Sequence, residues 1–188
     1  MMLSRVSVQT KGNKMNRNSW MVVVLCLLTA CGSEQKTDST DSAASNAGTP
    51  LDLDGVTVVV PEGWVSSEPS SSMRKAQFAL PKHGDDAEDA ALVVFYFGAG
   101  NAGSVEANLE RWRGQMKGAQ GNTKKASVNG MAVTTLDITG SYAAGVGMQM
   151  QPGPEVNNYH LIASIVESPV GAYYFKLTGP VQTIAHWQ

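Results

Sequence analysis

The fold class is decided by the stretch from Val105 to Lys117, which reads VEANLERWRGQMK. Apolar side chains recur in it at i, i+4, i+7 and i+11, which places them on one side of a helix: Val105, Leu109, Trp112 and Met116. The acidic residues lie toward its start and the basic residues toward its end, which suits the helix dipole. The stretch therefore predicts one long amphipathic helix, ended by Gly118.

Strand patterns precede and follow the predicted helix. The dipeptides Asp54-Gly55 and Asn129-Gly130 favour the tight turns of β-hairpins. The apolar run from Ala91 to Phe97 predicts a central strand buried on both faces. Pro180, at a first helical position, indicates a short C-terminal helix. The other predicted strands are Val56 to Val60, Met73 to Leu80, Lys124 to Val128, Met131 to Thr139, Tyr159 to Glu167 and Ala172 to Thr178.

These elements predict an α+β domain over residues 51–188. It consists of an antiparallel sheet of about six to seven strands, one long helix and a short last helix. The chain has 188 residues, of which 43% are hydrophobic and 16% charged, and this is room for one ordinary domain. The formal net charge of −2, without long basic runs, argues against binding nucleic acid through its phosphates.

The first 30 residues have the pattern of a secretory signal peptide. Basic residues precede a short uncharged run from Trp20 to Ala30. The sequence Leu28-Thr29-Ala30-Cys31 resembles the lipobox of bacterial lipoproteins, and this resemblance implies that the Cys31 thiol is acylated and becomes the new N-terminus. The alternative is an ordinary signal peptide or a weak hydrophobic anchor, with an unmodified thiol. Gly32, where some bacteria use Asp to retain lipoproteins in the inner membrane, favours the outer membrane or the cell surface by the same resemblance.

Residues 31–50 are predicted to join the lipidated Cys31 to the domain as a disordered tether. From Gly32 to Pro50 the chain contains neither aromatic nor large aliphatic residues. Such a segment cannot bury enough apolar surface to offset the entropy lost on ordering. The only cysteines are Cys26 and Cys31, so we expect neither a disulfide scaffold nor a cysteine zinc site.

The order of these features resembles the PsbP-like fold, which the Mog-type Ran-binding proteins share. The residues that carry the resemblance are Val58 to Trp64, Phe78, Trp112, Asn129-Gly130 and Tyr173 to Pro180. Three shorter phrases resemble an uncharacterised group of bacterial lipoproteins: Met73 to Phe78, Val105 to Asn108 and Phe175 to Pro180. The last helix of that group runs on further, so the resemblance implies a domain that is short at its C-terminus. It implies a protein-docking module and brings no activity with it.

Two loops are candidate ligand sites. The loop from Gly98 to Gly103 matches G-x-G-x-x-G between a predicted strand and a predicted helix, the setting of a dinucleotide-binding fingerprint. Two features argue against nucleotide binding by this loop. No acidic residue follows about 20 positions later, and the flanking strands are joined by hairpins. The loop from Gly145 to Asn158 contains Gly and Pro without periodicity, and long loops in compact domains are often functional.

Other candidate groups have ordinary structural interpretations. The acidic run lacks the spacing of a calcium loop and is interpreted as solvated hairpin charge: Asp85, Asp86, Glu88 and Asp89. Soft copper(I) ligands would have to come from Met148 and Met150, with Met131 and His160 elsewhere in the chain. The histidines belong to no catalytic motif: His83, His160 and His186. We therefore expect no catalytic residue, no metal and no cofactor.

The sequence supports two hypotheses about function. The first is a non-catalytic binding or scaffolding module of the bacterial envelope, anchored in the membrane through acyl chains on Cys31, with another envelope protein as its partner. The alternative is a binder of a small molecule or cofactor, or an enzyme, that uses the loop Gly98–Gly103 or the loop Gly145–Asn158.

Overall fold

The structure is a computed structural model that describes residues 48–100, 103–143, 145–146 and 151–188. The predicted signal peptide, Cys31 and most of the predicted tether lie outside these residues. Within the described part of the chain, no helix is both long and apolar enough to cross a bilayer.

The described chain forms eleven strands and two helices. The strands are β1 (Gly48–Asp52), β2 (Thr57–Pro61), β3 (Val65–Ser67), β4 (Arg74–Leu80), β5 (Ala90–Tyr96), β6 (Met116–Val128), β7 (Met131–Tyr142), β8 (Gly145–Val146), β9 (Gln151–Pro152), β10 (Val156–Ser168) and β11 (Gly171–Pro180), and the helices are α1 (Val105–Arg113) and α2 (Val181–Trp187).

Seven of the strands form one antiparallel sheet in the order β3-β4-β5-β11-β10-β7-β6. β1 and β2 form a separate hairpin, as do β8 and β9. Both predicted hairpin turns have the left-handed backbone that tight turns need, with φ of 64° and 125° at Asp54 and Gly55 and of 51° and 79° at Asn129 and Gly130. The predicted antiparallel α+β class is therefore confirmed.

The sheet carries a different layer on each face. On one face, called the helix face, α1 packs through Leu109 and Trp112 onto β7, β10 and β11. On the other face, called the hairpin face, the β1–β2 hairpin and α2 pack onto β4, β5 and β11, with Val56 and Ile184 fully buried. The strand covered on both faces is β10, which is buried without interruption from Tyr159 to Val166.

β5 differs from the strand predicted to be buried on both faces. It carries an exposed Ala91 next to a buried Leu92. The reason is that α1 lies over β7 and β10 and leaves the helix face of β4 and β5 less covered. An apolar run alone does not show which strand a short helix covers.

The predicted long helix is wrong in its length. α1 begins after Ser104, whose Oγ accepts a hydrogen bond from the Ala107 N–H at 3.1 Å, and it has 9 residues, ending at Arg113. Trp112 is buried as predicted, but Met116 is the first residue of β6. Its side chain is buried in the same cluster as Trp112, because the chain turns after α1 and returns to the same apolar layer. The spacing of four residues between Trp112 and Met116 is that of a helix, although the chain changes from helix to strand between them.

The largest differences from the predicted strands lie in β6, in β1 and in the range 145–158, and β3 is not among the predicted strands. β6 begins at Met116, well before Lys124, because an exposed edge strand shows no alternation of apolar residues. β1 begins at Gly48, inside the segment predicted as a tether, since its residues pair with those of β2. The range Gly145–Asn158, predicted as an irregular loop, contains β8, β9 and the start of β10.

Candidate functional site

Lys176 lies in the middle of the apolar strand β11, on the helix face of the sheet. Its Nζ donates to Oε1 of Gln115 at 2.6 Å and to the hydroxyl of Tyr142 at 3.0 Å. The ammonium also lies 5.2 Å from the centre of the Tyr142 ring. Among the described residues, the amine is therefore held by neutral acceptors and an aromatic ring rather than by a carboxylate.

Gln115 and Tyr142 are themselves fixed by the fold. Gln115 comes directly after Gly114, the C-cap of α1, and its backbone carbonyl accepts from the Ala143 N–H at 2.8 Å, which ties the end of the helix to the end of β7. Tyr142 stacks on Tyr159, with ring centres 5.5 Å apart and 3° between the planes. The hydroxyl of Tyr159 donates in turn to Oε1 of Glu88 at 2.5 Å. The groups around the amine are consequently in place before any ligand arrives.

Burial and a second cation make the charged form of the amine costly. Burial lowers the pKa of Lys176 to about 8, and the guanidinium of Arg111 contributes in the same direction. Arg111 is exposed on α1, where it donates to Oδ1 of Asn108 at 2.6 Å. The ion pairs of the described chain are made by other residues, so neither cation has a carboxylate partner there. The charge of Arg111 thus acts on Lys176, while neither cation forms an ion pair among the described residues.

The phenols of the cluster remain protonated over the physiological range. Burial raises the pKa of Tyr142. Burial raises the pKa of Tyr159 as well, and its hydrogen bond to the Glu88 carboxylate adds to the effect. A neutral hydroxyl both accepts and donates, so Tyr142 can accept from the lysine and donate to an oxygen of a ligand.

This arrangement suits an anionic group such as a carboxylate or a phosphate. An oxyanion between Arg111 and Lys176 would supply the counter-charge that the described protein lacks. Hydrogen bonds between ionised partners are about twice as strong as those between neutral groups. The guanidinium offers a planar pair of donors and the ammonium a point charge, which together define a direction of approach.

The glycines of the loop Gly98–Gly103 are explained by their backbone conformation. Gly98, Gly100 and Gly103 have φ of 84°, 76° and 73°, a region that favours glycine. β4 and β11, the neighbours of the preceding strand β5, both run antiparallel to it. The described sheet is therefore not the parallel sheet on which a dinucleotide-binding loop is built. Residues 101 and 102 lie outside the described chain.

Most of the predicted acidic loop is structural. Asp86 accepts through Oδ2 from the backbone N–H and the hydroxyl of Thr183, at 2.7 and 2.8 Å, and so attaches the loop to α2. Asp89 accepts from the Lys82 N–H at 2.9 Å, and Glu88 accepts from a tyrosine as described above. Glu88 and Asp89 are exposed, as the interpretation of solvated charge expects, whereas Asp86 is partly buried against α2. No group of three or more potential metal ligands occurs among the residues that the structure describes.

The histidines and the methionines are placed apart in the fold. Nε2 of His160 lies 2.7 Å from Oδ1 of Asp137, and the rings of His83 and His186 stack with centres 3.9 Å apart. Met131 is buried in the core of the hairpin face. Cys31, Met148 and Met150 lie outside the described residues, as does part of the loop Gly145–Asn158.

Sequence reasoning missed Lys176 as a site residue, although the sequence contained a signal. In the strand pattern Tyr173-Tyr174-Phe175-Lys176-Leu177, alternation places the lysine on the same face as Tyr174. A charged residue between apolar neighbours in an inner strand is unusual, because lysine is rarely buried without a partner. Its contacts come from residues distant in sequence and could not be identified from the strand alone.

No protein-family model matches the chain, and no curated protein sequence matches it. Among solved structures, the chain is similar to a protein of unknown function from Pseudomonas aeruginosa, at 19% identity over 74% of this chain and 87% of the other, with a TM-score of 0.43. It is similar as well to the solution structure of cyanobacterial PsbP from Synechocystis, at 14% identity over 80% of this chain and 90% of the other, with a TM-score of 0.46. The fold class stated above rests on the strand order and the two helices themselves.

Proposed function

We propose that the chain is a membrane-anchored lipoprotein of the bacterial envelope, acylated at Cys31, and that its domain is a non-catalytic binding module. In this proposal the module binds an anionic group of another envelope component between Arg111 and Lys176. The observation that carries the binding role is the amine of Lys176, which Gln115 and Tyr142 hold on an inner strand without an ion pair in the described chain, and on which the charge of Arg111 also acts.

The anchor is supported by the sequence alone. A basic segment, a short apolar run and Leu28-Thr29-Ala30-Cys31 stand in the order that lipoprotein processing requires. Two or three acyl chains would hold the protein durably, since each buried CH₂ contributes about 0.8 kcal/mol. Gly32 favours the outer membrane over the inner one, and the residue pattern shared with the PsbP-like, Mog-type domains favours a docking role.

The binding role is supported by the energetic cost of the unliganded site. Desolvation is unfavourable for the ammonium of Lys176, and the nearby guanidinium adds repulsion. Such a lysine lowers the stability of the fold. A use other than folding, such as binding, accounts for its presence. An anion converts the repulsion between the two cations into attraction to a shared partner.

Calorimetric titration of the full chain in detergent micelles tests the binding role, with inorganic phosphate and acetate as separate probes. We expect saturable binding of at least one probe at pH 7, weakened about tenfold or more by Lys176→Met, because the lost bond joins two charged groups. The matched control is Lys124→Met, which removes an exposed lysine that lies 3.9 Å from Asp137. Failure of both probes to bind, or equal binding by the two variants, would contradict the proposal.

Metabolic labelling with a clickable palmitate tests the anchor. Cys31→Ser should abolish the label and leave the precursor unprocessed, because the modified sulfur is gone. Cys26→Ser is the matched control, since it removes the other cysteine of the same N-terminal segment and should retain the label. A labelled Cys31→Ser protein would show that the lipobox interpretation is wrong.

A further inference from the structure

One end of β7 has an irregularity in the strand on each side of it. β6 departs from regular pairing between Lys117 and Gln120, and β10 does so between Val156 and Tyr159. Both irregularities lie opposite the same short segment of β7, residues 139–142. Bulges release backbone groups from the ladder, redirect side chains and are concentrated near functional sites. Two bulges that face one segment of β7 therefore indicate a candidate functional site at this corner of the sheet.

An open cavity of about 650 Å³ lies at this corner. Its volume falls within the range of about 300–1,000 Å³ that is typical of small-molecule sites. Most of its side chains end in an amide or a hydroxyl: Gln120, Thr139, Ser141, Asn157 and Asn158. It shares no residue with the site around Lys176.

The cavity carries little net charge. Its one cationic side chain, Lys117, forms an ion pair with Glu155. The hydroxyl of Ser141 donates to Oδ1 of Asn157 at 2.7 Å, which leaves the amide nitrogen of Asn157 for a ligand. Amides and hydroxyls offer donors and acceptors side by side without favouring either sign of charge. A charged ligand would find no free counter-charge here.

Asn158 is held in an unusual backbone conformation. Its φ is 57°, in the left-handed region that non-glycine residues seldom occupy. Asparagine tolerates this region better than most residues, and glycine would tolerate it without strain. Asn158 lies within the irregularity between Val156 and Tyr159, so this conformation belongs to the bulge that places Asn158 at the cavity.

We propose that this cavity binds a neutral, polyhydroxylated ligand, that is, one or two units of a saccharide. Adjacent hydroxyl groups of a sugar each donate and accept, and so complement the alternation of amides and hydroxyls in the cavity. Backbone groups released at the two bulges supply further partners. The site goes beyond the anion site, and it stands or fails on different residues.

NMR titration of the ¹⁵N-labelled full chain in micelles tests the proposal. The probes are di-N-acetylchitobiose and maltose as neutral saccharides, with glucosamine and glucuronate as charged comparisons. We expect saturable shifts of the side-chain amides of Gln120, Asn157 and Asn158 with a neutral probe. Asn158→Gly removes one amide while it suits the backbone, and it should weaken binding about fivefold, the effect of one lost hydrogen bond.

The matched control is Asn129→Gly, the same change at φ 51° in a hairpin turn elsewhere in the sheet, and it should leave saccharide binding unaltered. Lys176→Met should leave it unaltered as well, which separates this proposal from the anion site. Absence of shifts with both neutral probes, binding of the charged sugars alone, or equal binding by Asn158→Gly and Asn129→Gly would each overturn the proposal.

Discussion

The two faces of the seven-stranded sheet are covered to different extents and carry different chemistry. On the hairpin face, the β1–β2 hairpin and α2 enclose an apolar core that includes Phe78, Leu177 and Ile184. On the helix face, α1 has only 9 residues, and beyond its end the sheet presents Lys176 and Tyr142. A face that is fully enclosed acts as a core. A face that is only partly enclosed can hold a charged group near solvent and offer it to a ligand.

The polar contacts of the two faces follow the same division. On the hairpin face, the hydroxyl of Tyr173 donates to the Leu53 carbonyl at 2.6 Å and so fastens one layer to the other. On the helix face, Lys176 donates to Oε1 of Gln115 at 2.6 Å, and Arg111 on α1 is exposed to solvent. The first kind of contact stabilises the fold, whereas the second holds an ammonium whose desolvation costs stability.

The largest effect is expected from removing the aromatic anchor of the helix face. Trp112 is 3% exposed and packs edge-on against Tyr174, with ring centres 6.3 Å apart. Trp112→Ala should lower the free energy of unfolding by about 3–5 kcal/mol, a large share of the about 5–15 kcal/mol of a typical domain. Arg111→Ala, on the exposed side of α1, should cost less than about 0.5 kcal/mol. Urea unfolding measures both, and equal midpoints would mean that α1 does not anchor this face.

The next effect concerns the charge on the helix face. Lys176→Met should raise the free energy of unfolding at pH 7 by about 1–3 kcal/mol, because the folded pKa of about 8 lies below the ordinary 10.5. Between pH 8 and 10 the unfolded lysine binds a proton that the folded one has released, so wild-type stability rises with pH. Above pH 10 the raised pKa values of Tyr142 and Tyr159 make stability fall instead.

Urea unfolding at pH 7 and pH 9 measures this effect. We expect the wild type to gain about 1 kcal/mol over this interval and Lys176→Met to gain less. Lys124→Met, which removes an exposed lysine, should keep the wild-type dependence on pH. A variant at Lys176 with an unchanged dependence on pH would show that its amine is solvated, and the contrast between the faces would then disappear.

The parts of the fold that could be predicted from the sequence are those fixed by local chemistry. Asp54-Gly55 and Asn129-Gly130 specify turns by backbone conformation, and Trp112 lies on the buried side of a helix as its spacing predicts. The end of α1 could not be predicted, because Met116 continues the helical spacing while it belongs to a strand. Local periodicity does not distinguish these two ways of reaching one apolar layer.

The candidate site could be predicted less well than the fold. Lys176 is 61 residues from Gln115 and 34 from Tyr142 in sequence, and only the folded sheet with α1 packed on it brings them together. The glycines of the loop Gly98–Gly103 match a motif, but antiparallel neighbours change what such a loop can do. The site is a product of strand order, which no single stretch of sequence encodes.

A smaller effect is expected at the link between the hairpin and the sheet. Tyr173→Phe removes a buried hydroxyl and leaves the Leu53 carbonyl unpaired, so it should cost about 1–3 kcal/mol. Tyr96→Phe is the matched control, because its hydroxyl donates to the Val170 carbonyl at 2.6 Å in an exposed setting, where water replaces the lost donor. Amide hydrogen exchange should show faster opening of β1 and β2 in Tyr173→Phe alone. Equal costs for the two variants would show that the hairpin is held by apolar packing.

The smallest effect is expected at Trp64, which tests how completely the hairpin face is enclosed. Its Nε1 is the one buried side-chain polar atom without a hydrogen-bond partner among the described residues, and the indole lines a small apolar cavity of about 50 Å³. Trp64→Phe loses some apolar contact but also removes an unsatisfied donor, whose burial costs about 1–3 kcal/mol. Because the lost packing and the removed unsatisfied donor have opposite effects, the free energy of unfolding should change by less than about 1 kcal/mol.

Trp187→Phe is the matched control on the same face. It removes a donor that is bonded to the Pro81 carbonyl at 2.9 Å, so it should cost about 1–3 kcal/mol. Equal losses for the two variants in urea would show that the Trp64 N–H is satisfied, and hence that water reaches this part of the hairpin face.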